Sequence, residues 1–151
     1  MQTFLPYPDF QKSAFCLDRL RLGKQRVEAW QILNILNGES KSNGWRNHPA
    51  VLMWKGHEKS LALYGISISQ EWRSRGYKDV MLDRFSEYIL KNKFEAGIDY
   101  YPTWFGDLRF HTAHRSNLLR KNPDHYKKFG WTEPDSLEYV WPVTIKKELV
   151  K

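Results

Sequence analysis

Two cations and a carboxylate share one face of a helix predicted between Arg21 and Gly38. That face carries Arg21, Lys24, Gln25, Glu28 and Gln31. Spacings of three and four residues place these side chains side by side on a helix. Cations so arranged can bind phosphates, and a carboxylate among them stays ionised because nearby positive charge favours its charged form. The pattern indicates either a phosphate-binding helix with one acid or a solvated face on which Lys24 and Glu28 form an ordinary ion pair.

A second group of polar side chains follows Asp107. His111 and His114 lie three residues apart, one turn after this aspartate, and the spacing is compatible with a metal ion. No acid-rich or cysteine cluster accompanies them and their neighbours, such as Arg115, are cationic. We therefore predict no metal site and expect phosphate contacts or interface packing, with His111 and Arg115 as candidate phosphate-binding residues. No glycine-rich phosphate loop is present either, so no cofactor is predicted.

The overall charge points to a polyanionic partner. The 151 residues include 24 Lys and Arg against 17 Asp and Glu, so the formal charge is 24 − 17 = +7. Seven Trp, eight Tyr and eight Phe add flat rings of the kind on which unstacked bases stack. Trp45 and Trp104 are candidates for such stacking, although a tryptophan in a small domain is more often part of the core.

The length suits a single domain covering residues 1–151. Cys16 is the only cysteine, so an internal disulfide is excluded, and its neighbours Phe15 and Leu17 predict a small buried side chain. The N-terminus lacks a basic-then-apolar leader, and no apolar run approaches the roughly 20 residues that a membrane helix needs. We expect a monomer in the cytoplasm.

The elements that position these residues are predicted to be helical throughout, giving an all-α, compact helical bundle with an extended N-terminal arm and an aromatic C-terminal tail. No stretch shows strand alternation or an internal repeat. In chain order, the predicted helices run from about Asp9 to Asp18, from Arg21 to Gly38, from Pro49 to Gly76, onward from Asp79, and from Asp107 to Pro123.

Several boundaries have a clear physical reason. Residues 1–8 are apolar and contain two prolines, which predicts an arm packed on the domain. Pro49 suits the first turn of a helix capped by Asn47 or His48. For His48 a role as helix cap comes first and a contact with phosphate second. Gly23 is expected to loosen the start of its helix, while Gly56 and Gly65 mark bends or close packing. Residues 39–44 are expected at the surface, and residues 94–106 form an aromatic loop.

The segment Gly-Trp-Arg-Asn-His-Pro (44–49) carries a family resemblance together with Arg-Val-Glu-Ala (26–29). Phe105-Gly106-Asp107, His111, Ala113 and Pro123-Asp124-His125-Tyr126 extend it. The chain resembles the pyrimidine-dimer DNA glycosylase family, the phage-type endonuclease V proteins. The resemblance implies a small, mostly helical, metal-independent glycosylase and abasic-site lyase that acts on duplex DNA. It also implies that an N-terminal α-amine attacks the sugar C1′ atom and forms a Schiff base, assisted by a helix glutamate that would be Glu28.

Two features leave the assignment of the catalytic groups open. Gln2 is too large for the initiator methionine to be removed, so the nucleophile would be the amine of Met1. An α-amine is less basic than a lysine, which leaves a neutral fraction near pH 7. A shift of register would place Gln25 where the acid belongs, and Lys24 would then be a possible lyase amine.

The predicted DNA contacts lie on three segments. They are Arg21, Lys24, Gln25 and Arg26 on the helix, Arg46, Asn47 and His48 before Pro49, and His111 and Arg115 after Asp107. The alternatives are an enzyme that removes another altered base and a non-catalytic DNA-binding protein.

Overall fold

Helices make up every regular element in the described part of the chain. The computed structural model describes residues 1–40, 44–92, 94 and 101–143, and these contain no strand, as the all-α prediction requires. The helices are α1 (Phe10–Cys16), α2 (Arg19–Leu36), α3 (Pro49–Leu52), α4 (Glu58–Ser74), α5 (Met81–Lys91), α6 (Leu108–Lys121) and α7 (Pro123–Tyr126), followed by a short 3-10 helix (Lys127–Phe129). The fold class is confirmed.

Helix α4 lies at the centre and packs against α1, α2 and α5. Its buried face includes Leu61, Tyr64 and Ile68, which recur at helical spacing. Gly65 allows α5 to approach closely, since a Cβ atom at this position would lie 2.3 Å from Cζ of Phe85. The predicted close packing at Gly65 is confirmed.

The prediction of one long helix from Pro49 to Gly76 is wrong, because this segment is interrupted between α3 and α4. The chain turns over residues 53–57, where Gly56 adopts a φ of +84° that an L side chain rarely accepts. Trp54 lies in this turn, fully buried, and its indole N–H donates to the hydroxyl of Thr3 at 3.0 Å. A buried tryptophan thus joins the turn to the N-terminal arm.

Helix α2 begins two residues earlier than predicted and includes Gly23 in its regular part. The expectation that Gly23 loosens the start of the helix is therefore wrong. A Cβ atom at Gly23 would lie 3.0 Å from Cζ3 of Trp72 on α4, so the missing side chain admits this indole ring.

The two ends of the described chain both pack on the helices. Residues 2–6 are buried, which confirms the packed arm, and Trp131 donates to the hydroxyl of Tyr7 at 2.8 Å. The predictions for residues 41–43 and for residues 95–100 of the aromatic loop lie outside the described residues. The single domain and the monomeric state stay predictions. None of the described helices has the length and apolar character to cross a membrane.

Three further predictions concern single side chains. Cys16 is buried, as expected, and burial raises the pKa of its thiol to about 12. Trp104 belongs to the core, and its indole donates to the carbonyl oxygen of Met53 at 3.1 Å. Trp45, in contrast, is 43% exposed.

Candidate active site

Gln25 joins the N-terminal arm to helix α2. Its Oε1 accepts a hydrogen bond from the main-chain N–H of Phe4 at 2.8 Å, and its Nε2 donates to the carbonyl oxygen of Gln2 at 2.8 Å. The amide thereby pairs with the arm much as a neighbouring strand would. Gln25 is only 1% exposed, so its burial corrects the prediction that it contacts DNA.

Tyr64 on α4 contacts both the arm and Gln25. Its hydroxyl lies 2.9 Å from the carbonyl oxygen of Phe4 and 2.6 Å from Oε1 of Gln25. Burial raises the pKa of Tyr64 well above its ordinary value, so the hydroxyl keeps its proton and remains a donor. No sequence signal indicates this role, because Tyr64 falls on the apolar face of its helix.

His111 and His114 hold the arm at Leu5. The main-chain N–H of Leu5 donates to Nδ1 of His114 at 2.9 Å, and Nδ1 of His111 lies 2.8 Å from the carbonyl oxygen of Leu5. Nε2 of His111 accepts from the N–H of Gly106 at 2.9 Å, so the proton of this ring is on Nδ1 and donates to Leu5. The two rings therefore carry opposite tautomers and together satisfy both polar groups of one residue.

Both histidines are neutral and completely buried. Burial lowers the pKa of His111, and burial followed by the proximity of His111 lowers the pKa of His114 to about 3. The burial corrects the prediction that His111 meets a phosphate. Within the described residues, no group of three or more His, Cys, Asp or Glu side chains could hold a metal ion.

Glu28 lies beside the first residues of the arm. Its Oε2 accepts from the main-chain N–H of Gln2 at 3.4 Å and from Nε2 of Gln25 at 3.0 Å. The side chain is partly exposed, unlike that of Gln25, so it can reach a ligand. The fold thus places Glu28 next to the chain segment that carries Met1.

His48 also lies near the N-terminus. Its Nδ1 accepts from the N–H of Ala50 at 3.0 Å and caps α3, which confirms the predicted cap. Partial burial, followed by the positive charge of the N-terminal ammonium group, lowers the pKa of His48. Rings of Trp45 and Trp141 flank its imidazole, with centroids at 5.0 and 5.7 Å. The first residues of the arm therefore lie close to the carboxylate of Glu28 and to the imidazole of His48.

The other predicted DNA-binding residues differ in their exposure. Lys24, Arg46 and Asn47 are exposed at the surface. Arg21 forms a partly buried ion pair with Asp18 at 3.3 Å.

Two other arginines are engaged within the protein. Arg26 contacts the buried carboxylate of Asp79 and lies over the ring of Trp72 at 4.5 Å. Arg115 donates to the carbonyl oxygen of Pro6 at 2.7 Å and to Glu133 at 2.9 Å. These contacts argue against the prediction that Arg26 and Arg115 bind phosphate, and they give both residues a role in holding segments of the fold together.

The arm, helices α1 to α4 and the start of α5 match one known family. A model of the family described as pyrimidine dimer DNA glycosylase matches residues 1–84, more than half of the 151 residues. No curated protein and no solved structure gives a significant match. The matched segment contains Glu28, Gln25, His48 and the arm that they surround. The chain belongs to the pyrimidine dimer DNA glycosylase family.

Proposed function

We propose that this protein excises pyrimidine dimers from duplex DNA and cleaves the strand at the resulting abasic site, with the α-amine of Met1 as nucleophile and Glu28 as the acid–base residue. Membership of the family supports the glycosylase activity and the DNA substrate. The observation that carries the assignment of residues is the contact between Glu28 and the main-chain N–H of Gln2 at 3.4 Å. It joins the one acid of the predicted phosphate-binding helix to the terminus that provides the amine.

The reaction starts at the sugar of the damaged nucleotide. The amine nitrogen forms a bond to C1′ while the glycosidic bond breaks, and the base leaves with the bonding electrons and takes up a proton. The nitrogen loses a proton, the sugar ring opens and an imine forms. Removal of a proton from C2′ then expels the 3′ phosphate by elimination, and water finally hydrolyses the imine to free the amine.

Glu28 has the chemistry that these steps require. Both of the hydrogen bonds that Glu28 accepts from the described residues end on Oε2, which leaves Oε1 for the substrate. A carboxylate there stabilises the positive charge that develops on the sugar as the base departs, and it then transfers protons during ring opening and elimination. Gln25 lacks a titratable group and is occupied by the arm. We therefore assign the acid to Glu28 and a structural role to Gln25.

The arm contributes by fixing the position of the amine. Hydrogen bonds from Gln25, His111 and His114 engage the main chain at Gln2, Phe4 and Leu5, and Trp54 engages the side chain of Thr3. A nucleophile held in this way loses little further freedom on reaching the transition state, and such positioning accounts for a large share of many enzymatic rates. Lys24 and Arg46 then bind the phosphates that flank the damaged nucleotide.

Replacement of Glu28 by Gln separates catalysis from binding. Glutamine can keep both hydrogen bonds because both end on one oxygen, yet it cannot transfer a proton. We expect excision from a dimer-containing duplex under single-turnover conditions to fall by roughly a hundredfold or more. DNA affinity should stay equal or increase, since one negative charge is removed from the binding surface.

The matched control is Glu87→Gln, an equally conservative change at an exposed position of α5. It should leave both excision and affinity unchanged. Near-normal excision by Glu28→Gln would show that the acid is assigned wrongly. Binding without any excision or strand cleavage by the wild-type protein would instead identify a non-catalytic DNA-binding protein.

A further inference from the structure

Helix α2 carries apolar side chains on two opposite faces. The inward face supplies Leu22, Ala29, Ile32 and Leu33, all fully buried. The outward face carries Leu20 and Val27, which are 63% and 44% exposed and lie two turns apart on one side of the helix. Because the core is completed by the inward face, these two side chains contribute little to folding.

The outward face forms one wall of an open groove of about 470 Å³ that also includes Gly23 and Trp72. Trp72 is held in place, because its indole N–H donates to the carbonyl oxygen of Lys78 at 2.9 Å and its ring lies against Gly23. An alanine at position 23 would press on this ring, with Cβ 3.0 Å from Cζ3. The groove therefore has a rigid apolar floor.

The rim of the same groove is polar and includes the catalytic candidate. Arg19 and Lys24 provide positive charge, and Glu28 closes one side. Single exposed apolar residues are ordinary on protein surfaces. Here Leu20 and Val27 share a groove with two cations and with the carboxylate of Glu28, which we assign to stabilising the sugar. The occupant that fits this groove is therefore a nucleotide, which offers an apolar base face and flanking phosphates.

We propose that Leu20 and Val27 form a wedge about 10 Å long, at a rise of 1.5 Å per residue, which lies along the minor groove of duplex DNA across the lesion and unstacks the damaged base step, so that C1′ can reach the amine and Glu28. C1′ lies at the minor-groove edge of the duplex, which is the side from which the groove of α2 must approach. Apolar side chains inserted between base steps kink DNA in this way, and the weakened stacking at a lesion reduces the cost. Lys24 and Arg19 bind the phosphates on either side of the opened step. This inference rests on the proposed function.

The test compares duplex and single-stranded substrates. In the Leu20→Ala, Val27→Ala double variant the wedge is removed, and alanine keeps the helix intact. We expect excision from a dimer-containing duplex to fall by about tenfold or more. Borohydride trapping on a single-stranded abasic oligonucleotide should change by less than about twofold, because an unpaired sugar needs no unstacking. The Leu90→Ala, Leu108→Ala variant alters two leucines that are 83% and 72% exposed, and it should match the wild type on both substrates.

Fluorescence of 2-aminopurine placed beside the lesion reports unstacking directly. Wild-type protein should raise the signal on binding, whereas the double variant should bind with a much smaller rise. An equal rise, or an equal loss of activity on duplex and single strand, would overturn the wedge. The fluorescence signal requires DNA binding but no chemical reaction, so it tests the wedge even if the wild-type protein neither excises the base nor forms a trapped adduct. Failure of the wild type to excise and to trap would refute the proposed function and not the wedge.

Discussion

The main-chain nitrogen of Gln2 lies 3.4 Å from Oε2 of Glu28, although 26 residues separate them along the chain. Gln25, one turn before Glu28, donates to the same oxygen at 3.0 Å and also to the carbonyl oxygen of Gln2. One turn of α2 therefore holds both the arm and the carboxylate. Gln25 thereby holds the first residues of the arm beside the carboxylate of Glu28.

The first prediction concerns this glutamine. Gln25→Ala leaves the N–H of Phe4 and the carbonyl oxygen of Gln2 without partners in a buried region. We expect the free energy of unfolding to fall by roughly 2 kcal/mol or more, as for other buried polar groups that lose a partner. Imine trapping at saturating DNA should also slow, since the amine is less well positioned.

The control for this change is Gln31→Ala on the exposed face of the same helix. Denaturant unfolding and the trapping rate should both stay close to those of the wild type. A Gln25→Ala variant with normal stability and a normal trapping rate would show that the arm does not depend on this side chain.

The second prediction is a loss of stability in mild acid that depends on His114. The folded protein keeps this ring neutral until about pH 3, whereas the unfolded chain binds a proton near the ordinary pKa of 6.5. The unfolded state thus binds more protons below pH 6.5, and stability falls as the pH is lowered. The contribution is up to about 1.4 kcal/mol per pH unit for one proton. His111, whose pKa is also lowered by burial, acts in the same direction.

Denaturant midpoints between pH 6.5 and 4.5 measure this effect. His114→Asn should be less stable than the wild type at pH 7, and its stability should depend less on pH in that window. Gln31→Asn, at an exposed position of α2 and without a titratable group, serves as the control and should keep the wild-type slope. An unchanged slope in His114→Asn would contradict a neutral, buried imidazole at this position.

Local signals predict much of the fold. Pro49 at the start of α3 and Asp107 as the cap of α6 are recognisable because they satisfy or avoid helix-terminal N–H groups within a few residues. The interruption after α3 escapes such a prediction because the apolar spacing continues through Trp54 and Leu61. The buried contact between Trp54 and Thr3, which are 51 residues apart, explains why the chain turns here.

The sequence proposes an acid for the candidate site but does not reveal the residues that support it. Glu28 is the one acid on its face of α2, and the family resemblance implies that it is the helix glutamate. The partners of Leu5 lie 106 and 109 residues away, and no sequence spacing reveals such contacts. His111 and His114 therefore suggest phosphate or metal, although they bind the main chain of the arm. Gln25 resembles a solvent-exposed polar residue for the same reason.

The third prediction addresses the DNA-binding surface. Lys24→Ala combined with Arg46→Ala removes two exposed cations from this surface. For every phosphate that is no longer neutralised, the slope of log affinity against log salt should become shallower by about 0.9. We expect a slope reduced by up to about 1.8 and weaker binding at low salt. Fluorescence anisotropy with a labelled duplex over a salt series measures both.

Lys12→Ala combined with Lys91→Ala is the matched control, because it removes the same charge from α1 and α5. Its slope should remain that of the wild type. If both double variants lower the salt slope equally, the net charge of the protein governs binding, and the predicted DNA-binding surface around α2 is contradicted.

The proposed mechanism depends above all on the terminal α-amine as the nucleophile, and mass spectrometric mapping of the borohydride-trapped adduct is its decisive test. On a duplex with an abasic site, we expect the DNA to be attached to the amine of Met1, or of Gln2 if Met1 has been removed. Acetylation or extension of the N-terminus should abolish trapping while leaving DNA binding largely intact. An adduct on Lys24, or a normal trapping rate with a blocked terminus, would contradict the mechanism.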